Sequence, residues 1–484
     1  MNWRIILKIQ GLILVIIALA MIPSALFSLI YHENDMISIL SSILITLTTG
    51  IILSLTIKQT NLPVRAREGF VAVTLGWIGA AIFSALPFYI HGSFGSYINA
   101  LFESMSGLTT TGASILTNIE IIPHGLLFWR STTHWLGGMG IILLTVVVLP
   151  FFGIQGNQLF KAEVPGPVKD RFIPRISDTA KILWFIYAGL TVIQTLLLIA
   201  GGMSIFDSLC HTFGTMATGG FSTKNLSVAA YNSVYLESVI VFFMYLAGIN
   251  FTLYFYILKG DIKGFIKNRE WQFYTLVLLG STIIITLSLF FSGTYESFFE
   301  AFHKSIFQVV SITTTTGFCT ADFNLWPFFS QMILIFLMFF GGSGGSTGGG
   351  IKQIRIMILL KACFREIKTM AHPNGVFSTR IEHQHIPDKV VRGILGFFVI
   401  FIITFSAVTL FLCLMGYDII TSFSASIATL SNIGPGLARV GAVENFNFFD
   451  PLSKLVLTFN MLLGRLELYS VIVAIYYIFS PKQN

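Results

Sequence analysis

Four short stretches of the chain can be written one beneath another: Thr109-Thr110-Thr111-Gly112-Ala113, Met216-Ala217-Thr218-Gly219-Gly220-Phe221, Thr314-Thr315-Thr316-Gly317-Phe318 and Ser431-Asn432-Ile433-Gly434-Pro435-Gly436. Anchored on Gly112, Gly220, Gly317 and Gly434, they recur at spacings of 108, 97 and 117 residues. Six positions before each anchor stands a small residue: Ser106, Gly214, Ser311 and Ala428. Small residues are where helices in lipid pack closely. Each loop follows a semi-apolar run, at 97–108, 205–216, 297–312 and 419–430. Runs of that length are too short to cross a bilayer and read as re-entrant or buried segments.

The surrounding composition fits a membrane. Of 484 residues, 54% are hydrophobic and 11% are charged, against roughly 25% charged in soluble domains. The mean hydropathy is +0.80. A water-soluble enzyme and a disordered chain are both excluded. Apolar stretches long enough to span lie near 5–30, 37–57, 69–89, 128–152, 182–201, 234–258, 273–291, 329–360, 394–415 and 455–479. The fold class is therefore an all-α polytopic membrane protein. A two-span preface (1–60) precedes four units of span, half-helix, loop and span, at 61–152, 153–258, 259–365 and 366–484.

The formal net charge is +7. Such an excess marks cytoplasmic loops rather than a nucleic-acid surface. Of the 29 Lys and Arg residues, 23 fall on one side of the expected spans, from Arg4, Lys8, Lys58, Arg65 and Arg67 to Lys482. Both termini are expected in the cytoplasm. The basic segments 161–181, 259–269 and 352–392 form a face suited to acidic lipid or a docked protein. The four cysteines stand far apart, without metal or disulfide spacing. His372, Glu382, His383 and His385 lack the fixed spacing of a metal site.

Irregular backbone at membrane depth is tolerated only when buried in protein or lining a watery cavity. Four glycine-containing loops around one axis can present rings of carbonyl oxygens, which replace the hydration shell of a monovalent cation. The expected ion ligands are Thr110, Thr111, Gly112, Thr218, Gly219, Gly220, Thr315, Thr316, Gly317, Asn432, Ile433 and Gly434. The half-helices would aim their partly negative C-terminal ends at the same path. The fourth loop carries Asn432-Ile433 where the others carry Thr or Gly, so imperfect fourfold symmetry is expected there.

With these loops, Trp129-Arg130-Ser131, His134-Trp135-Leu136-Gly137-Gly138-Met139-Gly140, Gly344-Gly345-Ser346-Thr347-Gly348-Gly349-Gly350 and Gly464-Arg465-Leu466-Glu467, the chain resembles the Trk/Ktr/HKT superfamily of potassium transporters. The resemblance covers essentially the whole chain, and the two extra N-terminal spans are similar to the TrkH-type membrane subunit. It implies K⁺ as the transported ion, uptake through a four-repeat pore in the bacterial inner membrane, a homodimer, and a cytoplasmic ring of nucleotide-binding regulatory subunits. Coupling to sodium or protons, and a less selective cation channel, remain open alternatives. No enzymatic constellation or nucleotide motif is visible.

Two further features bear on control. Gly341, Gly342, Ser343, Gly344, Gly345, Ser346, Thr347, Gly348, Gly349 and Gly350 interrupt an apolar run. Each glycine costs a helix about 1 kcal/mol relative to alanine. The stretch is read as a mobile plug of bare backbone below the loops, and the resemblance implies the same gate. Arg465 lies inside the last apolar run, where an arginine is expensive and functional by default. It is expected beside the pore, holding the glycine loop or opposing cations; a structural pair with Glu467 or another carboxylate is the alternative, and positions two apart do not share a helical face, which counts against Glu467. Glu103, His211 and Gln308 share a column nine residues before their anchors. They are expected to tie the half-helices to neighbouring backbone, with Glu103 also able to gather cations at the mouth. Trp129 and Trp135 are expected in an interfacial belt, and Arg130 is expected to anchor at the interface or pair with a loop carboxylate rather than touch the ion.

Overall fold

Helices start where a side chain can accept the orphan amides of the first turn. Ser96, Ser204 and Asp418 do this for three of the half-helices, accepting from the amides of Asn99, Asp207 and Thr421. In the computed structural model these half-helices span Tyr97–Leu108, Ile205–Met216, Phe298–Thr313 and Ile419–Leu430. The structure describes residues 1–56, 66–148, 176–381 and 384–479. The cationic positions Lys58, Arg65, Lys161, Lys169, Arg171, Arg175 and Lys482, the expected boundaries near 60 and 152, and Glu382 and His383 lie outside them.

Among the described residues, six helices are long and apolar enough to cross a membrane: Trp3–Tyr31, Met36–Thr56, Arg67–His91, Ala180–Ala200, Arg269–Phe291 and Asp388–Leu414. The last four each lead into one half-helix. The apolar runs that leave the half-helices behave differently. His124–Val148 kinks at Gly140 (φ 75°). Val234–Ala247 and Phe251–Leu258 meet at 96°, and Pro451–Arg465 and Tyr469–Phe479 at 108°. Phe328–Phe340 and Gln353–Ala371 flank the glycine loop. The expected continuous spans at 234–258 and 455–479 are therefore corrected to bent pairs. At the first break Asn250 caps the second piece by accepting from the Thr252 amide at 2.9 Å. At the other, Glu467 and Leu468 both adopt positive φ.

The two N-terminal helices cross at Gly11 and Gly50, where a Cβ on either would fall within 3 Å of the other's backbone. Side-chain-free crossings let van der Waals packing act between helices that lipid would otherwise solvate equally well. The link between these two helices also caps the helix leaving the first loop: buried Asp35 accepts from the Leu126 amide at 3.0 Å. Around the half-helices the packing is dense, with Phe102, Phe221, Phe307, Phe318 and Trp129 below 2% exposure. Trp129 donates to the Ser84 carbonyl. It is a core residue rather than part of an interfacial belt. A second, smaller core unites Ile354, Ile358, Ile381, Ile386 and Val391 beneath a two-residue antiparallel ladder, Arg380–Ile381 with Gln384–His385.

Candidate functional site

Each half-helix ends in the same way. The amides of Thr110, Thr218, Thr315 and Asn432 bond to the carbonyls of Gly107, Thr215, Ile312 and Thr429, and the next amides reach Ser106, Gly214, Ser311 and Ala428 at 2.8 Å in all four. This is the Schellman pattern, which needs a left-handed residue after the helix. That residue is Thr110 (φ 53°), Thr218 (55°), Thr315 (62°) or Asn432 (57°). Asparagine tolerates the conformation, whereas a β-branched threonine there is a genuine outlier. Such strain costs about 1–3 kcal/mol per residue and gathers at functional sites. The column of small residues thus accepts the closing bond of each turn.

The chain then reverses at Gly112, Gly220, Gly317 and Gly434, with φ of 78°, 79°, 84° and 95°. A Cβ on Gly112 would strike the carbonyl oxygen of Gly219, one on Gly220 that of Thr316, and one on Gly317 that of Ile433. One on Gly434 would stand 2.6 Å from that of Thr111. The first loop touches the second, the second the third, the third the fourth and the fourth the first. The ring closes, and the touching oxygen in every case precedes an anchor glycine. The fourth loop shares the backbone conformation of the others. Its difference is chemical: the side-chain Nδ2 of Asn432 donates to the Thr111 hydroxyl at 2.9 Å and to the Met461 carbonyl at 2.9 Å.

The glycine loop lies directly against this ring. A Cβ on Gly348 would meet the Thr314 carbonyl at 2.9 Å, and one on Gly349 would strike the Ser431 carbonyl. The loop is a tight hairpin whose ends, Gly341 and Gly350, touch. Its backbone is held from several sides. Ser343 N donates to Gly248 O at 2.9 Å, Gly344 N to Glu270 Oε1 at 2.5 Å and Gly349 N to Thr315 Oγ1 at 2.7 Å. Gln353 Nε2 donates to Gly341 O at 2.8 Å and Lys352 Nζ to Gly348 O at 2.5 Å. The Thr347 hydroxyl reaches the Met216 carbonyl, and the Gly345 carbonyl accepts from the Phe251 amide.

Arg465 reaches this loop. Its guanidinium donates to Thr347 O at 2.7 Å, Gly138 O at 3.0 Å and Gly137 O. Glu467 is not its partner; that carboxylate pairs with Arg355. The column nine residues before the anchors holds the segment that leaves each of the first three loops. Glu103 accepts from Ser114 Oγ and Ile115 N, both at 2.9 Å. His211 Nε2 meets Ser222 Oγ at 2.9 Å, and the Gln308 side-chain oxygen accepts from Thr320 N at 2.9 Å. Glu103 is fully buried and bound to Arg130 Nε at 2.6 Å. It does not stand at an open mouth, and Arg130 is not at the interface. Sequence reasoning quoted His134 only within a motif and gave it no role; its Nδ1 meets Gly107 O at 2.7 Å while Nε2 accepts from Phe221 N at 3.1 Å. It missed Glu270 and Lys352 around the glycine loop.

The family described as TrkH, cation transport protein, matches residues 36–483. The chain belongs to that family. Its members are transport proteins, not enzymes. The Trk system potassium uptake protein TrkH of Salmonella typhimurium is 39% identical over 476 residues, covering 98% of each chain. The Trk system potassium uptake protein TrkG of Escherichia coli is 34% identical over 97% of each. The crystal structure of the potassium transporter TrkH from Vibrio parahaemolyticus superposes with a TM-score of 0.89, at 34% identity and 99% coverage of both chains.

Proposed function

We propose that this chain takes up K⁺ across the bacterial cytoplasmic membrane through the ring of four loops. The observation that carries the reading is the closure of that ring, in which every anchor glycine is pressed against the carbonyl preceding the next anchor. The main-chain oxygens of Thr110, Thr111, Thr218, Gly219, Thr315, Thr316, Asn432 and Ile433, with the anchor glycines, replace the water around a passing K⁺. The C-terminal ends of the four half-helices add partial negative charge. An inside-negative potential of 100 mV drives each ion inward with about 2.3 kcal/mol.

In this reading Gly341–Gly350 is the gate and Arg465 its staple. The chain comprises a two-span preface and four repeats with the boundaries expected above. It works as a homodimer with both termini in the cytoplasm, under a cytoplasmic ring of nucleotide-binding regulatory subunits on its basic face. The named relatives, all potassium uptake proteins of a Trk system, support the ion and the multi-component setting. The test is growth at low potassium of a bacterium lacking its own uptake systems. The chain should rescue it, and variants bearing serine at Gly112, Gly220 or Gly317 should not. Full rescue by all three would remove those glycines from the ion path.

A further inference from the structure

The four junctions of the ring are fastened by different chemistry. Fourth meets first through Asn432 and through Phe446 N donating to Ser114 O at 2.8 Å. Third meets fourth through the Asn324 amide, which donates to Ala438 O and accepts from Ala438 N. Second meets third through the backbone pair Ala229 N to Cys319 O and through Ser227 Oγ, which accepts from Cys319 N. These loop-to-loop fasteners are neutral; charge at these junctions lies away from the loops, where Glu237 pairs with His303 and Lys304, and Lys454 donates to Asn99.

At the first–second junction a buried ion pair holds the loops themselves. The Arg130–Glu103 pair is enclosed, with side chains 3% and 0% exposed. Through Glu103 the pair holds Ser114 and Ile115, the residues just past Gly112. Arg130 itself donates to Ser222 O at 2.9 Å and lies 3.5 Å above the Phe221 ring, just past Gly220. One turn further along the same helix, His134 stacks on the Phe221 ring at 4.0 Å and bridges Gly107 O to Phe221 N. Residues four apart share a helix face, so one face of His124–Val148 grips both loops.

A buried ion pair adds little net stability over an apolar replacement, because desolvation offsets the attraction. Its worth here is geometric: a planar fork fixes angles as well as distances. We propose that Arg130, held by Glu103, is a positioning residue for ion discrimination. It sets the height of the first loop against the second, and so the size of the oxygen ring, without touching the ion. This rests on the filter reading above.

The test compares wild type, Arg130→Lys and the double variant Glu103→Gln/Arg130→Gln, which strands no buried charge. Each purified chain is checked by size exclusion, and its K⁺/Na⁺ permeability ratio is measured in proteoliposomes. Both variants should elute as wild type and conduct K⁺. Their ratio should fall roughly tenfold, the equivalent of about 1.4 kcal/mol. A monodisperse double variant with the wild-type ratio overturns the proposal, and so does failure of both variants to fold, which would make the pair structural. Gly112→Ser separates the two readings. If it keeps wild-type flux and ratio, the filter reading itself fails. If it alone alters them, only the role of Arg130 fails.

Discussion

The backbone amide of Gly349 donates to the hydroxyl of Thr315 at 2.7 Å. One partner belongs to the glycine loop and the other to the third loop of the ring, so the candidate gate and the candidate filter share a hydrogen bond. Thr315 sits at φ 62°, where asparagine or glycine would be relaxed. The hydroxyl gives a reason for threonine. Thr315→Val removes it while keeping the shape, and Thr315→Ser retains it. A neutral hydrogen bond is worth about 0.5–1.5 kcal/mol, so basal Rb⁺ uptake into proteoliposomes lacking any regulatory partner should rise roughly two- to tenfold in the valine variant. The serine variant should stay near wild type. Equal uptake by all three would uncouple the two elements.

The anchor glycines should not be equally sensitive. Alanine at Gly112, Gly220 or Gly317 meets both a positive φ and a carbonyl oxygen well inside 3 Å. At Gly434 the oxygen of Thr111 is 2.6 Å away, the loosest of the four contacts. All four alanine variants should lose potassium-dependent growth, and Gly434→Ala should keep the most residual uptake. The ranking is read from initial Rb⁺ uptake rates at matched membrane abundance. Gly434→Ala as the weakest of the set would contradict the geometry.

The ring was legible in the sequence because it is built from local rules used four times. Each half-helix ends in a Schellman turn followed by a glycine, and both leave fixed columns; three of the half-helices fall at their expected bounds. The broken spans were hidden, because a hydropathy window averages over a break of a few residues. A signal existed: Gly140, Gly248 and Gly345 each stand 28 residues past their anchors, and Gly140 and Gly345 have positive φ. Arg130 does take a carboxylate partner, but Glu103 belongs to the half-helix rather than to a loop, and the sequence offers no signal for a pairing between two helices 27 residues apart. For Arg465 the helical-face argument against Glu467 reached the right partner assignment by the wrong route. The helix stops at Arg465 and the chain turns through Glu467 and Leu468, sending that carboxylate to Arg355.

Outside the spans, Asp450 caps Pro451–Arg465. It accepts from the amides of Leu452 (2.8 Å) and Ser453 (3.1 Å) and from the hydroxyls of Ser453 (2.5 Å) and Tyr417 (3.0 Å). Burial alone would raise its pKa, but the bonds from Ser453, Tyr417 and Leu452 outweigh it and hold the carboxyl below the usual aspartate value. A carboxyl with a depressed folded pKa contributes stability above its unfolded pKa, and that contribution is lost as pH falls through the folded value. Asp450→Ala should cost about 0.5–2 kcal/mol at pH 7. The gap in melting temperature between wild type and variant should persist down to about pH 5 and narrow below about pH 4. A gap that widens in acid would show that the cap acts as a neutral acid.

Arg465 ties three parts of the molecule together. Thr347 belongs to the glycine loop, Gly137 and Gly138 to the helix leaving the first loop, and Arg465 itself ends the helix leaving the fourth. The loop can withdraw only if the bond to Thr347 breaks. Hydrogen bonds from a charged donor are worth about 1.5–3 kcal/mol, so Arg465→Ala should raise basal Rb⁺ flux by roughly tenfold or more. Lysine keeps the charge but presents no planar fork, and cannot hold Thr347 and the Gly137–Gly138 pair at once; Arg465→Lys should fall between the two. A charge acting purely as an electrostatic barrier predicts a different order, with lysine indistinguishable from arginine. Flux from monodisperse protein therefore separates a staple from a barrier, and unchanged flux in the alanine variant would take this side chain out of the gate altogether.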